Sequence, residues 1–235
     1  MTERKASCLS RREFVRSATG LLVAPSVLSI TSRPASAKQS PERAGPTRRF
    51  DPERFVDDVV RARQESDSRA AIRDVLSRSM SDPRDVMRGL GEPVSAGAQT
   101  LYHGEDLTIL NIVWAPLMLL LPHNHRMWAI IGIYTGREDN ILWQASGPTI
   151  EASGAESLSL GDVFELPDDA IHSVTNPIKR LTGAIHIYGG DFFDTPRSEW
   201  DPGTLTERPF DLDNAMNVFR ESEERFNCSV RKRES

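Results

Sequence analysis

The chain has 235 residues, of which 38% are hydrophobic and 27% are charged, and its formal net charge is −5. This length and balance predict a soluble globular protein with one main domain. Its two cysteines, Cys8 and Cys228, are too few for a disulfide scaffold or a cysteine-rich zinc module. The acidic balance argues against nucleic acid as a main partner.

Residues 1–37 have the order of features expected of an export signal. A basic start is followed by the uncharged stretch Ala18–Ile30 and by small residues, Ala35-Ser36-Ala37, that suit a cleavage site. Within the basic part, Ser10–Val15 resembles the twin-arginine signal, in which an Arg-Arg pair precedes two bulky apolar residues. The apolar stretch is short and contains Pro25, so we expect no stable membrane anchor.

Removal of this signal would change the charge and the cysteine content of the chain. Residues 1–37 carry six basic and two acidic side chains, so the mature chain from Lys38 would have a net charge of −9 and keep Cys228 alone. We therefore expect the twin-arginine export machinery as a partner, a periplasmic or secreted location, and no intramolecular disulfide. That route exports folded proteins, which suits a metalloprotein that binds its metal in the cytoplasm.

The first part of the mature chain is expected to be a linker followed by helices. Residues 38–49 are rich in Pro, Ser and Arg and predict the linker. Residues 50–97 predict a helical segment, because apolar residues recur there at helical spacing. The helices are expected at Phe50 to about Gln64, Ser68–Ser79 and Pro83–Leu90.

Residues 98–210 have the pattern of a β domain. Short apolar or alternating runs are separated by Gly, Pro, Asp and Asn, which predicts an all-β barrel or jelly roll. Residues 211–235 predict a charged helical tail on the surface. The expected strands are Gln99–Tyr102, Leu107–Trp114, Leu117–Leu121, Trp128–Tyr134, Asn140–Ser146, Glu156–Leu160, Val163–Leu166, His172–Asn176 and Thr182–Tyr188.

The first feature with a chemical meaning is the pair His123 and His125. In a strand, residues two apart point to the same face, so the two imidazoles would converge as metal chelation requires. Imidazole suits iron, copper, zinc or nickel. Taken alone, the pair is equally typical of two exposed loop histidines.

A second segment further along the chain strengthens the metal interpretation. Residues 161–176 follow the pattern G-x5-P-x4-H-x3-N, with His172 as the histidine. This pattern resembles the second motif of the cupin superfamily, and His123, His125 and Gly136 match the first motif. The resemblance implies a cupin double-stranded β-helix, a jelly-roll barrel, carrying additional N-terminal helices.

The resemblance also implies which residues bind the metal. Many cupins add a glutamate ligand, but that position falls at Ala129 or, with an alternative spacing, at Ile130, and neither can bind a metal. The implied ligands are therefore the three histidines His123, His125 and His172, with open positions for substrate and dioxygen. A three-histidine site resembles the thiol dioxygenases, the cysteine dioxygenase group. Fe(II) is the metal implied, or else another divalent transition metal.

One strand after the motifs resembles a further signature of this group. Ala184–Tyr188 is similar to the family's S-x-H-x-Y strand. The resemblance implies a catalytic Tyr188, with its hydroxyl beside the metal and near bound substrate, and a supporting hydrogen bond from His186. Ala184 stands in place of the serine, so that hydroxyl is missing from the network.

The substrate side of the site departs from the family. The arginine that binds a substrate carboxylate has no counterpart in the segment Leu101–Asp106. His103 and Arg126 are the remaining candidates for that role, although His103 is better interpreted as a surface histidine. The cysteine that crosslinks to the tyrosine in animal enzymes is also missing. The sequence therefore does not predict cysteine as the substrate.

Three functions are compatible with these features, because a fold does not fix a function. The leading one is an Fe(II)-dependent, thiol dioxygenase-like cupin that oxidises a small thiol to a sulfinate with dioxygen. The second is another metal-dependent cupin enzyme, a C–C cleaving dioxygenase or an isomerase. The third is a non-catalytic protein that binds a metal or a ligand. By analogy with cupins, the chain could form a homodimer.

Several other residues are expected to serve structure alone. Trp114, Trp128 and Trp143 predict packing of the barrel, and Gly189–Phe193 predicts a turn where the last strand ends. Cys228 lies in the tail, with no histidine near it in sequence, and is not expected to be catalytic.

Overall fold

The structure is a computed structural model, and it describes residues 49–234. The expected signal peptide and nearly all of the expected linker lie outside the described residues. Within residues 49–234, no helix combines the length and the apolar character needed to cross a membrane.

Three helices open the described chain: α1 (Pro52–Ala62), α2 (Ser68–Met80) and α3 (Pro83–Leu90). Each begins after an aspartate whose carboxylate accepts a hydrogen bond from the backbone N–H three residues later, at 3.0 to 3.3 Å. Such an N-cap contributes about 1 kcal/mol, because it pairs a backbone N–H group that the helix leaves free. The three predicted helices are confirmed, with boundaries that differ by at most two residues.

Eleven strands follow in the described part of the chain. The nine predicted strands are confirmed, with the sixth beginning earlier than expected, and the short β10 and β11 were not predicted. The strands are β1 (Gly97–His103), β2 (Thr108–Trp114), β3 (Leu119–Asn124), β4 (Ala129–Thr135), β5 (Arg137–Ser146), β6 (Thr149–Ser159), β7 (Val163–Leu166), β8 (Ile171–Thr175), β9 (Thr182–Tyr188), β10 (Ser198–Trp200) and β11 (Glu207–Pro209).

The strands form two antiparallel sheets. The first has the order β1-β2-β9-β4-β7, and the second has the order β11-β10-β3-β8-β5-β6. Successive strands pass from one sheet to the other at β2, β3, β4 and β5, and again at β7, β8 and β9. This alternation is the winding of a jelly roll, or double-stranded β-helix, and it confirms the expected all-β fold class with N-terminal helices.

The three central strands of the first sheet, β2, β9 and β4, are buried on both faces. One face, with Leu110 and Ile131, lines the interior between the sheets, and the other, with Ile109 and Ile130, is covered by α1, α2 and α3. A strand buried on both sides has no polar face, which explains why β2 is apolar except for Thr108 and Asn111. Asn111 is buried with its Oδ1 accepting a hydrogen bond from the Tyr134 hydroxyl. Each buried apolar side chain contributes about 1.5–3 kcal/mol when it leaves water.

The chain ends in α4 (Leu212–Glu234), and here the sequence-based expectation was partly wrong. The helix was expected to be a charged surface tail, but Ala215 and Phe219 are buried against the barrel interior. The Phe219 ring stacks on Trp114, with centroids 5.1 Å apart and planes 18° apart. The abundant charges of this segment hid a narrow apolar stripe at helical spacing.

Candidate metal centre

Three histidines meet inside the barrel. His123 lies in β3 and pairs across the sheet with His172 in β8, and His125 follows directly after β3. Nε2 of His125 lies 3.2 Å from Nε2 of His123 and 3.2 Å from Nε2 of His172. All three side chains are buried. The structure therefore brings together the three predicted ligands.

The local backbone aims these side chains. The register of β3 against β8 shifts between Leu120 and His123, an irregularity of the kind that redirects side chains near functional sites. After His125 the chain turns at Arg126, whose φ of 59° is unusual for a residue with a side chain. These two features place the His125 ring, which follows β3, beside the His123 ring, which lies in β3.

Hydrogen bonds on the far side of two rings fix their tautomers. Nδ1 of His123 donates to the backbone oxygen of Leu121 at 2.9 Å, and Nδ1 of His172 donates to Oδ1 of Asn140 at 2.7 Å. A neutral imidazole that carries its proton on Nδ1 presents a lone pair at Nε2. Metal-binding histidines are commonly oriented in this way.

The geometry fits a bound cation. Lone pairs at neighbouring Nε2 atoms repel one another unless a positive charge lies among them. Two imidazole nitrogens that bind one ion at about 2.1 Å stand roughly 3 Å apart. Nε2 of His125 has about that spacing from Nε2 of His123 and from Nε2 of His172, and the ligand atoms of all three lie within 4.8 Å of one another. The three histidines could therefore hold a metal ion.

Burial also keeps these rings in the form that binds metals. It lowers the pKa of His123 from 6.5 to about 4, and it lowers the pKa of His125 and of His172 well below 6.5. The cause is the loss of hydration of the charged ring, and in His125 and His172 the neighbouring rings add to it. At neutral pH the three imidazoles are uncharged ligands.

The site contains no carboxylate ligand. Of the two positions where one was expected by spacing, Ala129 faces the barrel interior, while Ile130 faces the helices. The structure thus decides between the two spacings in favour of Ala129. That residue pairs with Tyr188 across β4 and β9.

The predicted pair Tyr188 and His186 lies beside the three histidines. The Tyr188 hydroxyl is 3.2 Å from Nδ1 of His186, and the Tyr188 ring lies edge-on to His125 with centroids 5.0 Å apart. Burial raises the pKa of Tyr188 well above its ordinary value of 10, so the hydroxyl keeps its proton at neutral pH. Their catalytic roles stay predictions.

A buried glutamate that the sequence analysis did not single out links these groups. Glu138 accepts a hydrogen bond from Asn140 Nδ2 at 3.0 Å on Oε1 and one from Trp114 Nε1 at 2.7 Å on Oε2. Oε2 also faces Nε2 of His186 at 3.4 Å. Because Asn140 holds His172, the network reaches from a predicted metal ligand to the His186 side of the site. Alternating polar residues at the start of β5 were the available signal.

A cavity of about 200 Å³ opens from the three histidines toward α4. Phe192 and Phe193, expected to shape the exit of the last strand with a place at the pocket rim as the alternative, form part of its wall. Trp114 lines the cavity in addition to packing. The lining residues are Ala98, Thr100, Leu110, Ile112, Trp114, Leu120, His123, His125, His172, Val174, His186, Tyr188, Phe192, Phe193, Phe210, Leu212, Ala215, Met216 and Phe219.

Neither candidate for carboxylate binding lines this cavity. His103 pairs with Asp191 at 2.9 Å, and its side chain is 43% exposed, which confirms the interpretation as a surface histidine. The Arg126 side chain is 56% exposed and lies 3.6 Å from Glu207.

A buried arginine that the sequence analysis missed lies behind the cavity wall. The Arg197 guanidinium is held between two rings, with its carbon 4.0 Å from the Phe192 centroid and 4.3 Å from the Phe210 centroid. It also donates to the backbone oxygen of Phe192. Arg197 itself does not line the cavity. Its positive charge nevertheless reaches the site, where it helps to lower the pKa of His123 and opposes the effect of burial on the pKa of Tyr188.

Comparison with known proteins gives the fold little sequence support. No protein-family model matches the chain. An RmlC-like cupin with a double-stranded β-helix fold from Methanocaldococcus jannaschii is 13% identical, with a TM-score of 0.37, over 43% of this chain and 85% of that chain. A cupin 2 barrel domain protein from Salinispora arenicola is 23% identical, with a TM-score of 0.32, over 40% of this chain and 74% of that chain.

An enzyme also occurs among the similar structures. A variant of the oxalate decarboxylase of Bacillus subtilis is 15% identical, with a TM-score of 0.35, over 43% of this chain and 27% of that chain. The chain thus spans about a quarter of that enzyme's length. The architecture itself rests on the strand pairing described above.

Proposed function

We propose that the protein is an Fe(II)-dependent dioxygenase that oxidises a small thiol to a sulfinate. The observation that carries this proposal is the convergence of three uncharged Nε2 atoms in a buried cavity, with Ala129 where a carboxylate ligand would stand. Ferrous iron in this place would favour binding of the thiol as a thiolate and would supply the one-electron chemistry that dioxygen requires.

The charge of the site suits an anionic substrate group. His123, His125 and His172 are neutral ligands, so they leave the full positive charge of the ion available to a thiolate. The cavity walls are mostly apolar, and the lower local dielectric strengthens the attraction. These residues thereby select for a sulfur atom that can lose its proton.

Tyr188 is the residue that we assign to the reacting atoms. Its hydroxyl contacts Nδ1 of His186, and it can turn to donate to a negative charge that develops on the substrate. The negative charge of Glu138 favours a proton on Nε2 of His186, which leaves Nδ1 as an acceptor for the hydroxyl. His186 is in this view a positioning residue that sets the direction of the hydroxyl.

Anaerobic iron loading followed by oxygen uptake tests the proposal. Iron-loaded protein should consume one dioxygen per thiol, and mass spectrometry should find both oxygen atoms in the sulfinate product. Tyr188→Phe should keep its iron and lose at least about tenfold in kcat, because only the hydroxyl is removed. Iron-replete protein that shows no thiol-dependent oxygen uptake would refute the proposal.

A second candidate is a dioxygenase that cleaves C–C bonds in a diketone or flavonol. The aromatic wall formed by Phe192, Phe193 and Phe210 favours it, because planar substrates stack on such rings. Oxygen uptake with a diketone or flavonol, and none with thiols, would identify this activity. Bound metal without oxygen uptake from either class would instead indicate a binding protein.

A further inference from the structure

The cavity in front of the three histidines has no charged wall. None of its nineteen lining residues is Asp, Glu, Lys or Arg. Its remaining polar groups are Thr100, His186, Tyr188 and the indole of Trp114. Trp114 already donates its N–H to Glu138. A ligand therefore meets aliphatic and aromatic surface along most of its length.

The entrance to the cavity is apolar as well. We call Phe193, Leu212 and Met216, which are 39%, 37% and 38% exposed, the apolar mouth. They are three of the eight large hydrophobic side chains exposed in the described chain. Single exposed apolar residues are common on protein surfaces, but a group of them marks a binding site. Because these three residues all line the same cavity, we interpret them as the entry route for an apolar molecule.

No lysine or arginine lines the cavity to pair with a carboxylate. The buried cation Arg197 is not among the lining residues, and its guanidinium is stacked between the rings of Phe192 and Phe210. His103 and Arg126 lie on the surface. A charged group buried without a partner destabilises a complex, so thiols that carry a carboxylate are disfavoured.

The volume sets the size of the ligand. A cavity of about 150 Å³ lined by Leu, Ile and Phe is large enough to bind benzene. The cavity here measures about 200 Å³. It therefore has room for one ring and a short chain that carries the sulfur to the three histidines.

We propose that the substrate is an apolar thiol, with an aromatic or branched alkyl group and no carboxylate or ammonium. This inference rests on the proposed function for its sulfur chemistry. The reaction is RSH + O2 → RSO2− + H+. The S–H bond and the O–O bond break, and two S–O bonds form. Sulfur loses four electrons to dioxygen, and the proton passes to solvent.

Binding to zinc-substituted protein tests the ligand class without turnover. Isothermal titration under anaerobic conditions compares 2-phenylethanethiol with 3-mercaptopropionate and cysteamine, and 2-phenylethanol reports on the cavity without a thiol. We expect 2-phenylethanethiol to bind at least about tenfold more tightly than either charged thiol, because its ring replaces water at an apolar wall.

Two lysine variants on α4 localise the effect. Met216→Lys places a cation at the apolar mouth and should weaken 2-phenylethanol binding about tenfold while favouring 3-mercaptopropionate. Asn217→Lys adds the same charge at the next residue, which is exposed and does not line the cavity, so binding should stay within twofold. Equal effects of both variants would contradict the assigned entry route.

Oxygen uptake by the iron-loaded protein then separates the two proposals. Oxidation of 2-phenylethanethiol in preference to the charged thiols supports both. Preferential oxidation of 3-mercaptopropionate or cysteamine keeps the dioxygenase and overturns the apolar substrate. Tight binding of 2-phenylethanethiol without oxygen uptake keeps the ligand class and overturns the dioxygenase. Failure of both phenylethyl probes to bind overturns the ligand class.

Discussion

The two ends of the cavity are built on different principles. At the metal end, defined as His123, His125 and His172, the outer nitrogens of two rings are hydrogen-bonded and orientation is fixed. At the apolar mouth, side chains of α4 and of the segment after β9 line the cavity with groups that form no directional bonds. Hydrogen bonds specify geometry, whereas apolar contacts specify volume. Substitutions at the metal end should therefore abolish metal binding, whereas substitutions at the apolar mouth should shift the ligand preference by degrees.

The largest expected effect is the loss of metal from the metal end. His172→Ala removes one of three ligands, and we expect metal affinity to fall by at least about 100-fold, since even the loss of an outer hydrogen bond to a ligand costs 10–100-fold. Elemental analysis after dialysis measures it. His103→Ala is the matched control, because that histidine lies on the surface, and it should keep its metal. Equal metal content in both variants would contradict the assignment.

The next effect concerns the side of the cavity that is formed by α4. Phe219→Ala removes a buried ring that stacks on Trp114, and the free energy of unfolding should fall by about 3–5 kcal/mol. Metal content should not change, because Phe219 belongs to the apolar part of the cavity. Urea denaturation and elemental analysis check the two expectations. Arg220→Ala, at the next and exposed residue, should have little effect on either.

Acid should destabilise the metal-free protein through the metal end. Because the pKa of His123 is about 4 in the folded protein and near 6.5 in the unfolded chain, the unfolded chain binds more protons between these values. Stability should therefore be unaffected by this group above pH 6.5 and fall as the pH drops from 6.5 to 4, by on the order of 3 kcal/mol for this ring. Thermal unfolding of chelator-treated protein measures it. A metal-free protein equally stable at pH 7 and pH 5 would contradict the buried, neutral rings.

The smallest effect on stability should come from the buried network, with a larger effect on rate. Both oxygens of Glu138 accept hydrogen bonds, so in Glu138→Gln the new amide must point its N–H groups at a donor, at a cost of about 1–3 kcal/mol. We expect metal to be retained and kcat to fall more than KM rises, because the charge that orients His186 is lost. Asp139→Asn, which alters a partly exposed pair with Arg137, is the control. Unchanged kcat in Glu138→Gln would remove Glu138 from the positioning network.

The metal end could be predicted because its information is local. The spacing of two residues predicted that His123 and His125 would face the same side, and the spacing around His172 forms a recognisable motif. The alternation of short apolar runs likewise predicted nine strands, although it could not predict β10 and β11, which are three residues long.

The rest depended on pairings that no local pattern encodes. Asn140 reaches His172 only because β5 lies next to β8 in the second sheet. Phe219 reaches Trp114 only because α4 folds back over the barrel, and the charged residues of that helix masked its buried stripe. Arg197 was missed because the two rings that enclose its guanidinium, Phe192 and Phe210, are far apart in sequence.

The position of α4 has a consequence for how proteins of this architecture diversify. The helix supplies Leu212, Ala215, Met216 and Phe219 to the cavity, whereas every histidine at the metal end comes from β3, from the turn after it, or from β8. Replacement of a single terminal segment would thus exchange the ligand while the reactive centre is inherited unchanged. Chains with the same barrel and a different last helix are expected to share a metal and to differ in substrate.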